Sequence, residues 1–237
     1  MLIIEQDASH HEPWTYDDER TLLLSDWYHQ IQHEIVLGLL QEAFRWSGRP
    51  QSVLLNGKGY FNCTKEKVPV GSAFPYYKSS STVYCAKNQC PEMEVVEVEK
   101  DKIYRLRLGS IAELSFMNIA IENHTMTIVE ADGNPITPKN VESLDINSGQ
   151  RYSVLITTNQ QVGSYWISVV TRHRKNVVSG QAILKYKGFA ESKPSTSVND
   201  VIALQPAWDD SSFSFNQQSS MKGVTSAPIE VGNRVIL

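Results

Sequence analysis

The fold is decided by residues 115–186, which read SFMNIAIENHTMTIVEADGNPITPKNVESLDINSGQRYSVLITTNQQVGSYWISVVTRHRKNVVSGQAILKY. Short runs rich in Ile, Val, Tyr and Trp alternate with Asp-Gly, Ser-Gly and Val-Gly-Ser breaks. Short apolar runs bounded by such turn signals are typical of the antiparallel strands of a β-sandwich. We therefore predict an all-β fold.

The same pattern extends towards the N-terminus and gives about eight or nine strands. They are predicted at residues 21–27, 52–55, 103–108, 115–121, 126–131, 142–147, 151–157, 164–171 and 181–186. Ile31, Ile35 and Leu39 are four residues apart and predict a short amphipathic helix within residues 29–44. Residues 62–94 hold all three cysteines and are predicted to form a long irregular loop.

The composition excludes several classes of function. The chain has 237 residues, 20% of them charged, and a net charge of -4, so it offers no basic surface for nucleic acid. No apolar run approaches the ~20 residues that cross a bilayer, so no membrane partner is expected. The first residues, MLIIEQDASHHEPW, lack the charge pattern and apolar stretch of a signal peptide.

Five segments, two of them within residues 115–186, occur together in a recognisable order. They are LLLSDWYHQ (22–30), RWSGRPQS (45–52), LLNGKGYFNC (54–63), VEADG (129–133) and INSGQRYSVLITT (146–158). In combination they resemble the middle domain of the plant-type multicopper oxidases, most closely the L-ascorbate oxidase branch. The resemblance implies a Greek-key β-sandwich or barrel of the cupredoxin type with long irregular flanks.

The resemblance also implies a division of the chain. Residues 20–190 would be the cupredoxin-like domain, residues 1–19 the end of a missing first domain plus a connector, and residues 191–237 a linker and the start of a missing third domain. The linker is rich in Ser, Pro and polar residues. We expect it to lie over a surface, anchored by Trp208 and by Phe213 or Phe215.

The intact family enzyme is expected to oxidise ascorbate or a similar small reductant and to reduce dioxygen to water. Its copper, its extracellular (apoplastic) location and its first and third cupredoxin domains as partners are all implied by the resemblance. The chain alone is then predicted to be inactive and to bind no cofactor. The alternative is a non-catalytic interaction module that binds through an aromatic patch including Trp46 and Trp14; either protein could form a homo-oligomer.

The histidines do not have the spacing of copper ligands. The six are His10, His11, His29, His33, His124 and His173; no His-x-His pair occurs, and no cysteine has a histidine beside it. Family copper sites require such imidazole and thiolate sets, so neither a metal ligand nor a catalytic residue is predicted. His29 and His33 are interpreted as exposed polar residues, and His124 as a surface or capping residue.

Trp46 is the one candidate substrate-binding residue. By resemblance, the segment 44–63 carries a tryptophan that lines the pocket where the reductant meets the blue copper. A flat aromatic face suits a planar enediol or phenol. The other interpretation, that Trp46 packs between domains, remains open.

The cysteines and two sequons favour an extracellular history. The resemblance implies a Cys63–Cys85 disulfide and leaves Cys90 unpaired or bonded to another domain. Pairing of Cys63 with Cys90, or of Cys85 with Cys90, stays open. The glycosylation sequons begin at Asn62 and Asn123.

Overall fold

A computed structural model of the chain describes residues 14–29, 32–59, 93–191 and 193–224. Within these ranges the chain forms eleven strands and three helices. The strands are β1 (Asp18–Trp27), β2 (Ser52–Leu55), β3 (Glu94–Val98), β4 (Ile103–Ser110), β5 (Met117–Ile121), β6 (Met126–Ala131), β7 (Asn134–Val141), β8 (Ser143–Ile146), β9 (Arg151–Thr157), β10 (Ser164–Thr171) and β11 (Ser179–Tyr186). The helices are α1 (Gln32–Leu40), α2 (Val198–Ala203) and α3 (Ser211–Ser219).

The strands form two sheets that face each other. Sheet A has the order β2-β1-β4-β9-β6-β7, and sheet B has the order β3-β11-β10-β5-β8. Most neighbours are antiparallel, but β1 pairs in parallel with β4 and β3 with β11. Strands distant in sequence are thus adjacent in space, and the predicted all-β fold of the cupredoxin type is confirmed.

Alternation along the strands explains the core. Leu22 and Leu24 of β1 and Val154 and Ile156 of β9 are buried, while residues between them are less so, because successive side chains point to opposite faces of a strand. Strand β5 differs, since all of its residues are buried. One face of β5 packs in the core and the other is covered by the chain that follows β11.

The two sheets approach closely where β11 meets β2. A Cβ atom at Gly180 would lie 2.5 Å from the carbonyl oxygen of Val53 and 2.9 Å from Cγ1 of the same residue. Only glycine fits this distance, because backbone cannot yield as a flexible side chain can. The contact joins the start of β11 in sheet B to the strand that follows the Trp46 segment.

Residues 193–224, which we call the strap, correct the prediction of an irregular flank. Helices α2 and α3 are capped by the preceding residues Ser197 and Asp210, whose side chains accept hydrogen bonds from backbone N–H groups of the first turn. The sequence reasoning missed them because both helices are short and carry little apolar periodicity.

The anchors of the strap are mostly polar. Val201, Gln205 and Gln217 are its buried side chains, whereas Phe215 is 71% exposed and is therefore not an anchor. Trp208 is also partly exposed. Phe213 is half-buried and lies beside the guanidinium of Arg172, 5.8 Å from its ring centroid. Polar anchoring was not visible in the composition of the linker.

Two strands were missed and two begin earlier than predicted. Strand β7 contains Pro135 and Pro138 and lies at the edge of sheet A, where a missing N–H is tolerated. Strand β3 begins at Glu94, the last residue of the predicted cysteine loop, and its other residues had no predicted structure. Strand β1 starts at Asp18, inside the predicted connector, and β11 starts at Ser179, two residues before its predicted start. The division into residues 1–19, 20–190 and 191–237 stays a prediction.

Candidate functional site

Trp46 lies on an exposed aromatic edge. It sits between α1 and β2, is 55% exposed, and its ring centroid is 6.4 Å from that of Phe44, which is 63% exposed. Trp27 at the end of β1 is 54% exposed. Trp27 adjoins the segment that follows Trp46 only through its backbone, whose carbonyl accepts from the N–H of Gln51 at 3.0 Å. We call Phe44 and Trp46 the aromatic edge. Its rings are available to a ligand or to another protein surface.

Arg174 fixes the segment that carries Trp46. Its Nη1 donates to the carbonyl oxygen of Gly48 at 2.8 Å, and its Nη2 donates to that of Leu114 at 3.4 Å. One guanidinium therefore joins the loop after β10, the Trp46 segment and the loop after β4. It also places a positive charge close to the aromatic edge.

Tyr28 follows Trp27 and lies within the field of the same guanidinium. Burial raises the pKa of Tyr28, and the positive charge of Arg174 opposes that rise. Tyr28 is thus a neutral phenol at physiological pH. The Tyr28 hydroxyl is buried, so the edge itself combines flat apolar faces with one nearby cation, a set that suits a planar, anionic small molecule.

Asp26 holds the neighbouring loop in place. Its Oδ1 accepts from the backbone N–H of Glu113 at 2.9 Å, and its Oδ2 accepts from those of Leu114 at 3.3 Å and Ser115 at 3.1 Å. The Ser115 hydroxyl donates to Oδ2 at 2.7 Å. Since Leu114 also supplies an acceptor for Arg174, Asp26 positions one of the two carbonyls that orient the guanidinium.

The histidine pair at positions 29 and 33 is not on one helix face. His29 precedes α1, is half-buried, and has its Nε2 3.3 Å from the Ser52 hydroxyl oxygen, so the prediction of an exposed side chain is wrong for it. Its backbone N–H donates to Gln51 at 2.7 Å. Burial lowers the pKa of His29. His33 is exposed, as predicted.

His124 is buried, so its interpretation as a surface or capping residue is wrong. Its Nδ1 lies 2.6 Å from the carbonyl oxygen of Glu122 and must donate, because a carbonyl only accepts. Its Nε2 is then the acceptor for the hydroxyl of Tyr186 at 2.8 Å. The ring of Tyr165 packs edge-on against the imidazole with centroids 5.0 Å apart. Tyr186 is itself buried, and burial raises its pKa to about 12.

This geometry predicts acid sensitivity. Burial lowers the pKa of His124, although the carbonyl and the charge of Glu122 oppose the shift. The stabilisation is complete above the unfolded value of about 6.5 and is lost as pH falls towards the folded value. His124→Gln should therefore flatten the decline of unfolding free energy from pH 7 to pH 5, by up to about 1.4 kcal/mol per pH unit.

Urea denaturation at each pH measures this effect. His33→Gln, on the exposed side of α1, should keep the wild-type slope. Equal slopes for wild type and His124→Gln would contradict a titrating His124.

The profile of the multicopper oxidase family matches residues 18–189. The chain belongs to the multicopper oxidase family. It is 38% identical to an L-ascorbate oxidase of Cucurbita pepo var. melopepo and 36% identical to one of Nicotiana tabacum. Each alignment covers 100% of this chain but only 42% and 40% of the relatives. The chain thus spans about two fifths of the length of these curated relatives.

Solved multicopper oxidases share the fold. The laccase from Botrytis aclada matches with a TM-score of 0.54 and 25% identity, covering 77% of this chain and 31% of the laccase. Fet3p, a multicopper oxidase that functions in iron import, matches with a TM-score of 0.58 and 21% identity, covering 81% of this chain and 32% of Fet3p. Because the identity to Fet3p is only 21%, that match shows a shared fold and nothing more.

The family depends on copper, which requires sets of imidazole and thiolate donors. Within residues 14–29, 32–59, 93–191 and 193–224, no group of three or more His, Cys, Asp or Glu side chains could hold a metal. His124 and His29 are instead bonded to carbonyl or hydroxyl groups. This part of the chain does not fit a copper centre. Copper-free status of the whole chain stays a prediction.

The remaining predicted sites divide into two groups. Asn123 is exposed at the turn between β5 and β6. Cys63, Cys85, Cys90 and Asn62 lie outside the described residues, so the disulfide and the first sequon stay predictions. Among the described helices, none is long and apolar enough to span a membrane.

Sequence reasoning missed Asp26, Tyr28 and Arg174 as parts of the Trp46 environment. Asp26 and Tyr28 are in the motif LLLSDWYHQ, and Arg174 is in the run TRHRK that follows β10. The hydrogen bonds of Asp26 and Arg174 join positions that are 60 to 126 residues apart. The clustered arginines after a strand were the only available signal, and charge at a strand end is usually solvated.

Proposed function

We propose that this chain is the middle cupredoxin-like domain of an L-ascorbate-oxidase-type multicopper oxidase, and that it supplies one wall of the reductant site without binding copper itself. The exposed, fixed Trp46 carries this proposal. A structural tryptophan would normally bury its large ring, yet Trp46 is open to solvent on a segment held by Arg174.

The chemistry of the aromatic edge fits the proposal. A planar enediol or phenol stacks on an indole face, and the charge of Arg174 favours an anionic reductant. The remaining parts of the oxidase supply copper, remove electrons one at a time and reduce dioxygen to water. This chain orients the reductant and positions its neighbouring domains.

The proposal extends to the cell biology of the chain. An extracellular (apoplastic) location, the Cys63–Cys85 disulfide and a Cys90 that is unpaired or bonded to another domain follow from the same resemblance. First and third cupredoxin domains are the proposed partners, and self-association through the exposed aromatic edge is compatible with them.

A chimera tests the function. This chain would replace the aligned portion of the Cucurbita pepo L-ascorbate oxidase, and copper content and ascorbate-driven oxygen uptake would be measured. The chimera is expected to hold copper and consume oxygen, whereas the isolated chain does neither. Stoichiometric copper or oxygen uptake by the isolated chain would overturn its assignment as a copper-free wall.

Within the chimera, Trp46→Ala should raise KM for ascorbate about tenfold, which corresponds to the loss of about 1.4 kcal/mol of stacking and burial. Trp46→Phe should have a smaller effect because it retains a flat face. Copper content should not change. Trp166→Phe is the matched control. Trp166 lies near the start of β10, whereas Arg174, which holds the Trp46 segment, follows the end of that strand, so this variant should keep the original KM. An unchanged KM in Trp46→Ala would favour a packing role for Trp46.

The non-catalytic interaction module remains the second candidate, favoured by the exposure of Trp27, Phe44 and Trp46. Trp14 does not belong to this patch, since its indole packs near Arg105 on the outer face of sheet A. Saturable binding of the isolated chain to a protein or glycan, with an inactive chimera, would support the module.

A further inference from the structure

The turn that joins β5 to β6 presents a modification site on one end of the sandwich. It carries the sequence Asn123-His124-Thr125. Asn123 and Thr125, the two residues that define the sequon, are exposed, while His124 between them is buried. The local backbone therefore turns both reactive positions outward and uses the middle residue as an anchor.

The turn is rigid enough to hold a large substituent away from the core. The backbone N–H of His124 donates to the carbonyl of Ile121 at 3.1 Å, and its imidazole is fixed by Glu122 and Tyr186. Asn123 has φ +56°, a left-handed conformation that asparagine tolerates better than most residues. A substituent on its amide would displace no buried group.

The site is remote from the aromatic edge. Asn123 lies beside the first half of β10. Strand β5, which precedes it, pairs with β10 at Ile167, and the N–H of Glu122 donates to the carbonyl oxygen of Trp166. Arg174, which holds the Trp46 segment, follows the other end of β10. Eight residues of strand separate the two ends by roughly 25 Å.

We propose that Asn123 carries an N-linked oligosaccharide and that this end of the sandwich stays in solvent in the intact protein. The side-chain amide nitrogen Nδ2 would form a bond to the anomeric carbon of a lipid-pyrophosphate-linked oligosaccharide. The lipid pyrophosphate leaves, and the nitrogen loses one proton to a base of the transferase. The neighbouring domains must then contact other faces of this chain.

Secretion from a eukaryotic host with an added signal peptide tests the site, in an Asn62→Gln background that leaves a single sequon. Peptide N-glycosidase should remove one glycan from the native protein, seen as one step in mass. Thr125→Ser keeps the sequon and should keep the glycan. Thr125→Val and Asn123→Gly should abolish it.

The variants are chosen to separate glycosylation from folding. Glycine accepts the positive φ of position 123 without strain, so Asn123→Gly should be secreted and keep the wild-type circular dichroism spectrum. Thr125→Ser preserves the hydroxyl that donates to Glu142 at 2.9 Å. An unmodified secreted chain, or the same mass step in Thr125→Val, would overturn the proposal.

The inference rests on the proposed function only for the extracellular location, which the added signal peptide supplies. Its failure is therefore distinguishable from a failure of the oxidase assignment. The chimera glycosylated at Asn123 and the chimera that carries Asn123→Gly should show equal copper content and equal oxygen uptake. A lower copper content in the glycosylated form would show that this end contacts a copper domain.

Discussion

Replacing Arg172 with methionine is expected to lower the free energy of unfolding by about 3–5 kcal/mol, the usual cost of removing one partner of a buried ion pair. Arg172 and Asp145 are almost completely inaccessible, and Nε of Arg172 lies 3.1 Å from Oδ1 of Asp145. Methionine would fill part of the volume but leave the carboxylate without its countercharge. Urea denaturation with a fixed m-value measures the change.

Arg172 also ties the strap to sheet B. Its guanidinium donates to the carbonyl oxygens of Pro206 at 3.3 Å, of Ala207, and of Asp210 at 2.6 Å. The variant should therefore expose the strap to proteases sooner than the rest of the chain, because these acceptors lose their donor.

A second substitution identifies the cause of the loss. In Arg172→Met/Asp145→Asn the unpaired charge is gone, so the double variant should be more stable than Arg172→Met alone. Lys187→Met breaks an exposed pair with Glu99 and should leave the urea midpoint unchanged. An Arg172→Met protein as stable as the wild type would exclude the buried pair as a source of stability.

Asp26→Ala is expected to destabilise the chain by about 2–4 kcal/mol, because it removes the acceptor of the buried N–H and hydroxyl of Ser115 and of two part-buried N–H groups. Three N–H groups and one hydroxyl bond to its carboxylate, at residues 113 to 115. Asp26→Asn should also be costly, since the amide that replaces one oxygen is a donor facing other donors.

The effect of Asp26 should reach the aromatic edge. Displacement of Leu114 removes one carbonyl that orients Arg174, so the Trp46 segment should gain mobility. A shift of the tryptophan emission maximum reports the changed environment of the Trp46 segment, and urea denaturation reports the loss of unfolding free energy. Glu113→Ala alters an exposed side chain in the same loop and serves as the control. Equal stability of Asp26→Ala and Glu113→Ala would refute the role of the carboxylate.

The sequence predicted the features that depend on the local spacing of apolar side chains and turn residues. Residues 126–131 and 151–157 are short runs rich in apolar and β-branched side chains, and their strands are found at these residues. The turn signals Asp132-Gly133 and Ser148-Gly149 marked the end of β6 and the break between β8 and β9 correctly, and Gly133 and Gly149 adopt positive φ there. The combined motifs also predicted the family.

The candidate site was predicted only in part. The segment around Trp46 was recognised by its resemblance, but its exposure depends on what packs around it. Asp26 meets residue 115 across 89 positions and Arg174 meets Gly48 across 126 positions. No short-range pattern encodes such pairs, and neither residue was named in advance.

The sequence by itself determined a two-sheet, all-β chain of the multicopper oxidase family, since strand period and turn chemistry act between residues close along the chain. Only the tertiary structure decided that His124 is buried, that the strap is held by Gln205, Gln217 and Arg172, and that Trp46 remains open. Those outcomes follow from which strands become neighbours, and burial and hydrogen bonding across sheets are fixed only when the sheets close.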